Sequence, residues 1–250
     1  MGSKVFELCL WADSLIYEEL SKVYNKKPTF KGLAFPTCIS ANEVCGHNAP
    51  LQEDSTIIKE GDLVKVELGV HVDGFPALVA HTIVVRSDKA QPIGGKKADV
   101  ILAAYKAAQA SLRLIKPGHL NSEVTEVISQ VCEDYQVNAL EGVLSHEVKK
   151  HLIDGNKVII NKENFDQSVE KSEFAVHDVF ILDVFVSSGE GKPKEADVRC
   201  TIYKRSLDRT YNLKIKQSRQ FFNEVIERYP SFCFSINSFE DPIVARLGVK

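Results

Sequence analysis

Residues 192–219 of this 250-residue sequence form a basic stretch whose side chains are suited to binding anions. It carries nine basic and three acidic side chains, a net charge of +6, whereas the whole chain has a net charge of −3. The remaining residues therefore sum to −9, so positive charge is strongly segregated. Tyr203 and Tyr211 are interleaved with the cations and could stack on bases. We predict that seven of the basic residues contact RNA: Lys192, Lys194, Arg199, Lys204, Arg205, Lys214 and Lys216.

Such a stretch favours binding to phosphate backbones, above all to folded or double-stranded RNA that is recognised by its shape. The alternative is a solvated face whose cations form salt bridges, which is the commoner role of a charge run. The net charge of −3 excludes a globally basic nucleic-acid binder but not a local basic surface.

A second group of reactive residue types comprises Cys38, Cys45 and His47. Cysteine and histidine are the common ligands of zinc in proteins. A structural zinc site needs four ligands, however, and no further group of such residues follows these three. The six cysteines include no Cys-x-x-Cys pair, so we predict free thiols in a reducing compartment. Ser187-Ser188-Gly189 does not form a nucleophile elbow.

Composition places the chain among ordinary soluble proteins, with 44% hydrophobic and 26% charged residues. This excludes disordered, collagen-like and disulfide-scaffold proteins. No uncharged apolar stretch approaches the ~20 residues that span a bilayer, so we expect no membrane insertion.

The periodicity of apolar residues predicts both helices and strands. Helices are predicted at 6–24 and 101–114, from a cap near Asn121 or Ser122, at 216–228, and from Asp241-Pro242 onward. Strands are predicted at 62–72, from Val79 to Val85, and at 157–160, 178–188 and 198–203. The first helix has an apolar stripe that includes Trp11 and Leu15, and the last has Ile243, Val244 and Leu247 to bury. Asp73-Gly74 predicts a hairpin turn between the first two strands.

The hairpin at 60–85, EGDLVKVELGVHVDGFPALVAHTIVV, resembles the metal-bearing hairpin of the methionine aminopeptidases (peptidase family M24). The segment FPTCISANEVCGHNAP, at 35–50, resembles the loop of that family that ends in a catalytic histidine, here His47. Segments 141–160, 183–192 and 202–205 are similar to a type 2 homologue that has lost peptidase activity. The resemblance implies an α+β pita-bread (creatinase/methionine aminopeptidase-like) fold over residues 1–250. Residues from about 204 to 250 would form an incomplete helical insertion of the type 2 kind, and the fold would be truncated at its C-terminal end.

The resemblance also implies where the metal ligands would lie. The family holds two divalent metal ions with two Asp, one His and two Glu side chains, which activate a water molecule. The corresponding positions are Glu67, Leu78, His146, Asp183 and a residue beyond Lys250, and the alignment at His146 is ambiguous by one residue. Leucine has no lone pair to offer. We therefore predict a vestigial pocket of His47, Glu67, Leu78, His146 and Asp183, with no catalytic residue, metal ion or cofactor.

The resemblance to the inactive type 2 homologue further implies a non-catalytic protein that binds structured RNA or ribosomes and regulatory proteins. Its roles would be in growth, translation or transcription, and its locations cytoplasmic and nuclear or nucleolar. Two alternatives remain open at this point: an active metal-dependent methionine aminopeptidase, and a module that holds a peptide end beside Phe35, His47 and Phe75. Self-association through the truncated edge is a further expectation.

Overall fold

The computed structural model describes residues 2–249, which form two compact units. Of these residues, the first unit comprises 2–85, 150–152 and 198–249, and the second comprises 86–149 and 153–197. The α-helices are α1 (Val5–Lys22), α2 (Lys96–Leu114), α3 (Asn121–Asp134), α4 (Lys216–Arg228) and α5 (Pro242–Gly248). The strands are β1 (Lys31–Ala41), β2 (Leu63–Val72), β3 (Phe75–Val84), β4 (Asn138–Ala139), β5 (Leu144–Glu147), β6 (Val158–Ile160), β7 (Phe180–Ile181), β8 (Val186–Ser187), β9 (Ile202–Lys204) and β10 (Cys233–Ser235). Within residues 2–249, no helix is both long and apolar enough to cross a membrane.

An antiparallel sheet in the order β1-β2-β3 forms the centre of the first unit. The predicted hairpin is confirmed: β2 and β3 pair along their whole length, and Asp73 and Gly74 form the turn with φ values of 52° and 82°. Both turn residues lie in the left-handed region, as a two-residue hairpin turn requires. β2 is therefore the central strand, with β1 on one side and β3 on the other.

Strand β1 was not predicted from the sequence, which suggested a loop at 35–50. Its residues are buried on both faces, so the alternation of apolar and polar residues that marks a half-buried strand is absent. Pro36 is compatible with β1 because this strand lies at the edge of the three-stranded sheet. The structure accommodates Pro36 where the β1–β2 register shifts, between Phe35 and Cys38.

Helix α1 packs on this sheet with only part of the predicted stripe: Leu20 is buried, and Leu8, Ala12 and Ile16 are half-buried. Its buried residues are Val5, Cys9, Asp13 and Leu20. Trp11, predicted in the apolar stripe, is 60% exposed, and Leu15 is exposed as well. The prediction placed the stripe on the most apolar residues, whereas the structure buries a face that includes a carboxylic acid.

The last part of the first unit is an aromatic core beneath α4 and α5. The α4 bounds match the prediction, and Asp241 caps α5 by accepting hydrogen bonds from Ile243 N–H and Val244 N–H. Burial in α5 was predicted wrongly for Ile243 and Leu247, which are exposed, whereas Val244 is half-buried against the aromatic core and Ala245 is buried. The core consists of Phe221, Val225, Tyr229, Phe234, Ile236, Phe239 and Ala245.

The second unit packs the helix pair α2 and α3 on short strands, with one sheet in the order β6-β5-β7 and β4 paired to β8. The strand predicted at 178–188 is two separate two-residue strands, β7 and β8. Asn121 was predicted as a helix cap but is 1% exposed and instead joins distant segments. Its amide donates to Val158 O and Glu170 O at 2.9 Å, and its Oδ1 accepts the Ser172 N–H at 3.0 Å.

Candidate functional site

Glu67 is the predicted site residue that the first unit holds most firmly. It lies on the central strand β2, opposite Cys38 on β1 and Ala80 on β3, and is buried. Its Oε2 accepts the backbone N–H of His47 at 2.7 Å, and its Oε1 lies 3.5 Å from His47 Nδ1. The structure therefore brings Glu67 and His47 into direct contact.

His47 occupies a backbone conformation that non-glycine residues seldom adopt, with φ of 57°. Its imidazole is mostly exposed and lies 5.1 Å from the Phe35 ring, measured between centroids. The Glu67 carboxylate satisfies the N–H of this turn. In the first unit, Glu67 thus acts as an anchor for the loop that carries His47.

Leu78 lies on β3 directly opposite Gly69, on the same face of the sheet as Glu67. A Cβ atom at Gly69 would be only 2.8 Å from Leu78 Cγ, so the leucine side chain covers the glycine closely. Leu78 lies on β3 two residues before Ala80, the residue that pairs with Glu67. An apolar side chain therefore occupies the position at which the family would place a second carboxylate.

Cys38, on the same face, does not replace the missing ligand. Burial, and secondly the nearby Glu67 charge, hold the pKa of its thiol far above the ordinary value. A thiol binds metal as the thiolate, which this environment disfavours. Its Sγ donates to Pro36 O at 3.4 Å.

The second unit holds the other two predicted positions, His146 and Asp183. His146 lies on β5, and its Nδ1 donates to Gly155 O at 3.2 Å, since a carbonyl oxygen only accepts. The backbone N–H of Asp183 donates to Ser145 Oγ at 2.8 Å, so Ser145 ties Asp183 to the strand that carries His146. Both residues are half-buried.

These donors do not fit the dinuclear centre of the peptidase family. Among residues 2–249, no group of three or more His, Cys, Asp or Glu side chains is arranged to hold a metal ion. The first unit offers one carboxylate, already engaged by a backbone N–H, next to a leucine. Hard divalent ions need several oxygen ligands, so this set of donors does not suit a pair of divalent metal ions.

The predicted RNA contacts fall in both units. Lys192 and Lys194 belong to the second unit and are exposed, and Lys214 and Lys216, exposed as well, flank the start of α4 in the first unit. Arg199 is exposed too, and its guanidinium donates to Arg246 O at 3.3 Å.

The other two predicted contacts are less available. Lys204 lies on β9 and is half-buried. Arg205 is also half-buried, with its guanidinium 5.7 Å from the centroid of the Phe222 ring, a cation–π contact. Arg205 therefore contributes to packing as well as to charge.

The two tyrosines of the basic stretch are engaged within the protein. The ring of Tyr203 stacks on Phe234 at 6.3 Å between centroids, and its hydroxyl donates to Cys200 O. Tyr211 packs on Phe222 at 4.6 Å, and its hydroxyl accepts the Ser206 N–H. Base stacking on these rings, suggested by the sequence, would require them to leave these contacts.

Sequence reasoning missed the buried Asp13, which positions the strand beside Glu67. Its Oδ1 accepts the Thr37 N–H at 2.9 Å, and burial raises the pKa of its carboxyl. The spacing of Val5, Cys9 and Asp13 at every fourth residue marks one helix face and could have revealed it. Asp13 joins α1 to β1, which carries Phe35 and Cys38.

Sequence reasoning also missed a buried histidine, His71, on β2. It is 2% exposed, its ring lies 4.6 Å from the rings of Phe30 and Phe232, and its Nδ1 has no hydrogen-bond partner. Burial, and secondly the charge of His151, lower the pKa of His71 to about 4. His71 is therefore neutral at physiological pH.

Stability is expected to fall as the pH drops from about 6.5 to about 4, because the unfolded chain binds a proton that native His71 refuses. The loss attributable to His71 is on the order of 3 kcal/mol, because each unit by which the pKa differs between the native and unfolded chain corresponds to about 1.4 kcal/mol. Urea unfolding at a series of pH values, comparing the wild type with His71→Phe, isolates this contribution. The variant should have a flatter pH dependence, whereas His81→Phe, at an exposed site on β3, should retain the wild-type slope; equal slopes for all three would contradict the assignment.

Comparison with known proteins identifies the family of the chain. The family model described as Metallopeptidase family M24 matches residues 12–177, more than half of the chain. A protein of Solanum tuberosum named ERBB-3 binding protein 1 is 43% identical over 250 residues, covering 99% of this chain and 64% of that protein. The chain spans 63–65% of the length of this protein and of two other curated relatives that it matches.

Solved structures match over most of the chain as well. The structure of a thermophilic Arx1 has a TM-score of 0.89 at 31% identity and covers 99% of this chain and 72% of that one. A methionine aminopeptidase from Rickettsia prowazekii has a TM-score of 0.59 at 16% identity, covering 83% of this chain and 74% of that one, which shows the fold alone. The expected α+β pita-bread fold is confirmed.

Proposed function

Because the chain belongs to metallopeptidase family M24, we propose that it is a non-catalytic member that binds structured RNA or ribosomes together with regulatory proteins. Leu78 carries the non-catalytic part of the proposal. It occupies the position at which the family would place a metal-bridging carboxylate, and its side chain packs over Gly69. The name of the Solanum tuberosum relative, a binding protein, supports a protein partner. We also propose cytoplasmic and nuclear or nucleolar residence, which imaging of a fluorescently tagged chain would test.

The RNA part of the proposal rests on the exposed cations around the start of α4. Ile215 precedes the helix and gives no capping side chain, so the first backbone N–H groups of α4 are not satisfied by a cap. Lys214 and Lys216 flank them, and both are exposed. Helix N–H groups and the helix dipole favour a phosphate at such an end, and two lysines add to that attraction.

A filter-binding titration with an RNA hairpin longer than about 16 base pairs tests this proposal. We expect saturable binding at low salt, with an affinity that falls linearly on a logarithmic scale as the salt concentration rises. Duplex DNA and single-stranded RNA of the same length serve as comparisons. Absence of binding at low salt would overturn the RNA proposal.

No hydrolysis of a methionyl peptide is expected in the presence of Mn²⁺ or Co²⁺, because the donors present do not fit two metal ions. The assay needs an active methionine aminopeptidase as its positive control, together with metal analysis of the purified chain. Turnover that a chelator abolishes would restore the alternative of an active peptidase.

We further propose that copies of the chain self-associate along β3. Among the described residues, this ten-residue strand pairs only with β2, and Phe75, Val79 and Ile83 are exposed on one of its faces. Unprotected edge strands tend to pair with other strands. Light scattering over a range of concentrations should show a mass above 27.9 kDa that Val79→Lys reduces; a constant monomer mass would contradict this proposal.

A further inference from the structure

Helix α2 in the second unit presents two apolar faces, of which only one is covered. The buried face consists of small residues, Ala103, Ala107 and Ser111, which pack within the core that the helix shares with α3. On the opposite side, Leu102, Tyr105 and Leu112 are 45%, 58% and 57% exposed. An ordinary surface helix has one apolar face and one polar face, so the exposed apolar face is unusual.

The three exposed side chains form one continuous stripe. Residues 102, 105 and 112 differ by three and seven positions, spacings that place side chains on the same side of an α-helix. Ala98 and Ala108, both half-buried, lie near the same line. The pattern matches the seam through which one helix packs lengthwise on another.

Positive charge borders this stripe. Lys106 and Arg113 are exposed, lie seven residues apart, and are therefore separated by about 10 Å along one edge of the stripe. The whole of α2 has four basic residues and one acidic residue, Asp99. The stripe, bordered by cations seven residues apart, is therefore complementary in charge to a helix that carries carboxylates seven residues apart.

We propose that the α2 face binds an acidic amphipathic helix of a partner protein. Its apolar residues would cover Leu102, Tyr105 and Leu112, and its carboxylates would pair with Lys106 and Arg113. A second copy of this chain fits less well, because two α2 faces would bring like charges into one interface. RNA fits less well too, because the stripe exposes hydrocarbon and only two bordering cations.

Fluorescence anisotropy with a labelled synthetic peptide tests the proposal on the full chain. The probe is a three-heptad peptide with leucine at positions a and d and glutamate on the flanks, and its matched partner has lysine in place of each glutamate. We expect the acidic peptide to bind at least about 10-fold more tightly than the basic one, in line with the discrimination that opposite charges give. Tyr105→Ser should weaken acidic-peptide binding by about 10-fold, as loss of a central aromatic contact does.

Two further variants make the result specific. Lys106→Glu should shift the preference toward the basic peptide, whereas Tyr24→Ser, at an exposed site in the first unit, should leave binding unchanged. Absence of saturable binding to the wild type, or equal binding of the two peptides, would overturn the proposal. The proposal would also be overturned if Tyr105→Ser changed the self-association of the chain, measured by light scattering, and left peptide binding unchanged. RNA affinity should not change in Tyr105→Ser, so this result is independent of the RNA proposal.

Discussion

Phe232→Ala is expected to lower the free energy of unfolding by about 3–5 kcal/mol, the usual cost of removing a fully buried aromatic side chain. Phe232 is 1% exposed. Its ring stacks on His71 at 4.6 Å and on His151 at 6.3 Å between centroids, so it joins strand β2 to the segment before β10. Its removal leaves a cavity and the unpartnered His71 nitrogen within it. Urea unfolding followed by far-ultraviolet circular dichroism measures the change.

Phe30→Ala is the matched control for this change. Phe30 also lies 4.6 Å from His71 between ring centroids but is 38% exposed, so less of its ring leaves water on folding. Its loss should therefore cost clearly less than the loss of Phe232. Equal costs would show that the stack is not the feature that stabilises this part of the first unit.

Reversing the charge of four exposed lysines is expected to lower the affinity for an RNA hairpin by about 100-fold or more at low salt. The positions are Lys192, Lys194, Lys214 and Lys216, each changed to glutamate. Each lost phosphate contact should also reduce the slope of log affinity against log salt by about one. Lys204 and Arg205 are left unchanged because both are half-buried and Arg205 packs on Phe222.

A second variant with the same net charge separates an effect of these four positions from an effect of total charge. Lys26, Lys27, Lys89 and Lys96 are exposed and lie outside the basic stretch, so their replacement by glutamate changes the total charge equally. This control should bind RNA within a few-fold of the wild type. A similar loss in both variants would mean that RNA responds only to net charge.

The sequence predicted elements well where one short-range signal dominates. The bounds of α4 follow from its apolar spacing, the β2–β3 hairpin from Asp73-Gly74, and the start of α5 from Asp241-Pro242. It failed at β1, because a strand buried on both faces has no alternation of apolar and polar residues. It also failed for 178–188, where a predicted long strand is interrupted between β7 and β8.

The candidate site was predictable in its residue types and less so in its contacts. The resemblance to the aminopeptidase hairpin implied Glu67 and Leu78, and the structure adds that Glu67 binds the His47 N–H and that Leu78 covers Gly69. The roles of Asp13 and Asn121 depend on partners 24 or more residues away in sequence. Periodicity and capping rules describe neighbours along the chain, so they cannot supply such contacts.

Co-sedimentation of the purified chain with ribosomes in sucrose gradients tests the central claim most directly. We predict that the chain migrates with ribosomal particles at low salt, is released as salt is raised, and is released at lower salt when Lys192, Lys194, Lys214 and Lys216 are reversed in charge. A chain that stays at the top of the gradient at every salt concentration would contradict the claim.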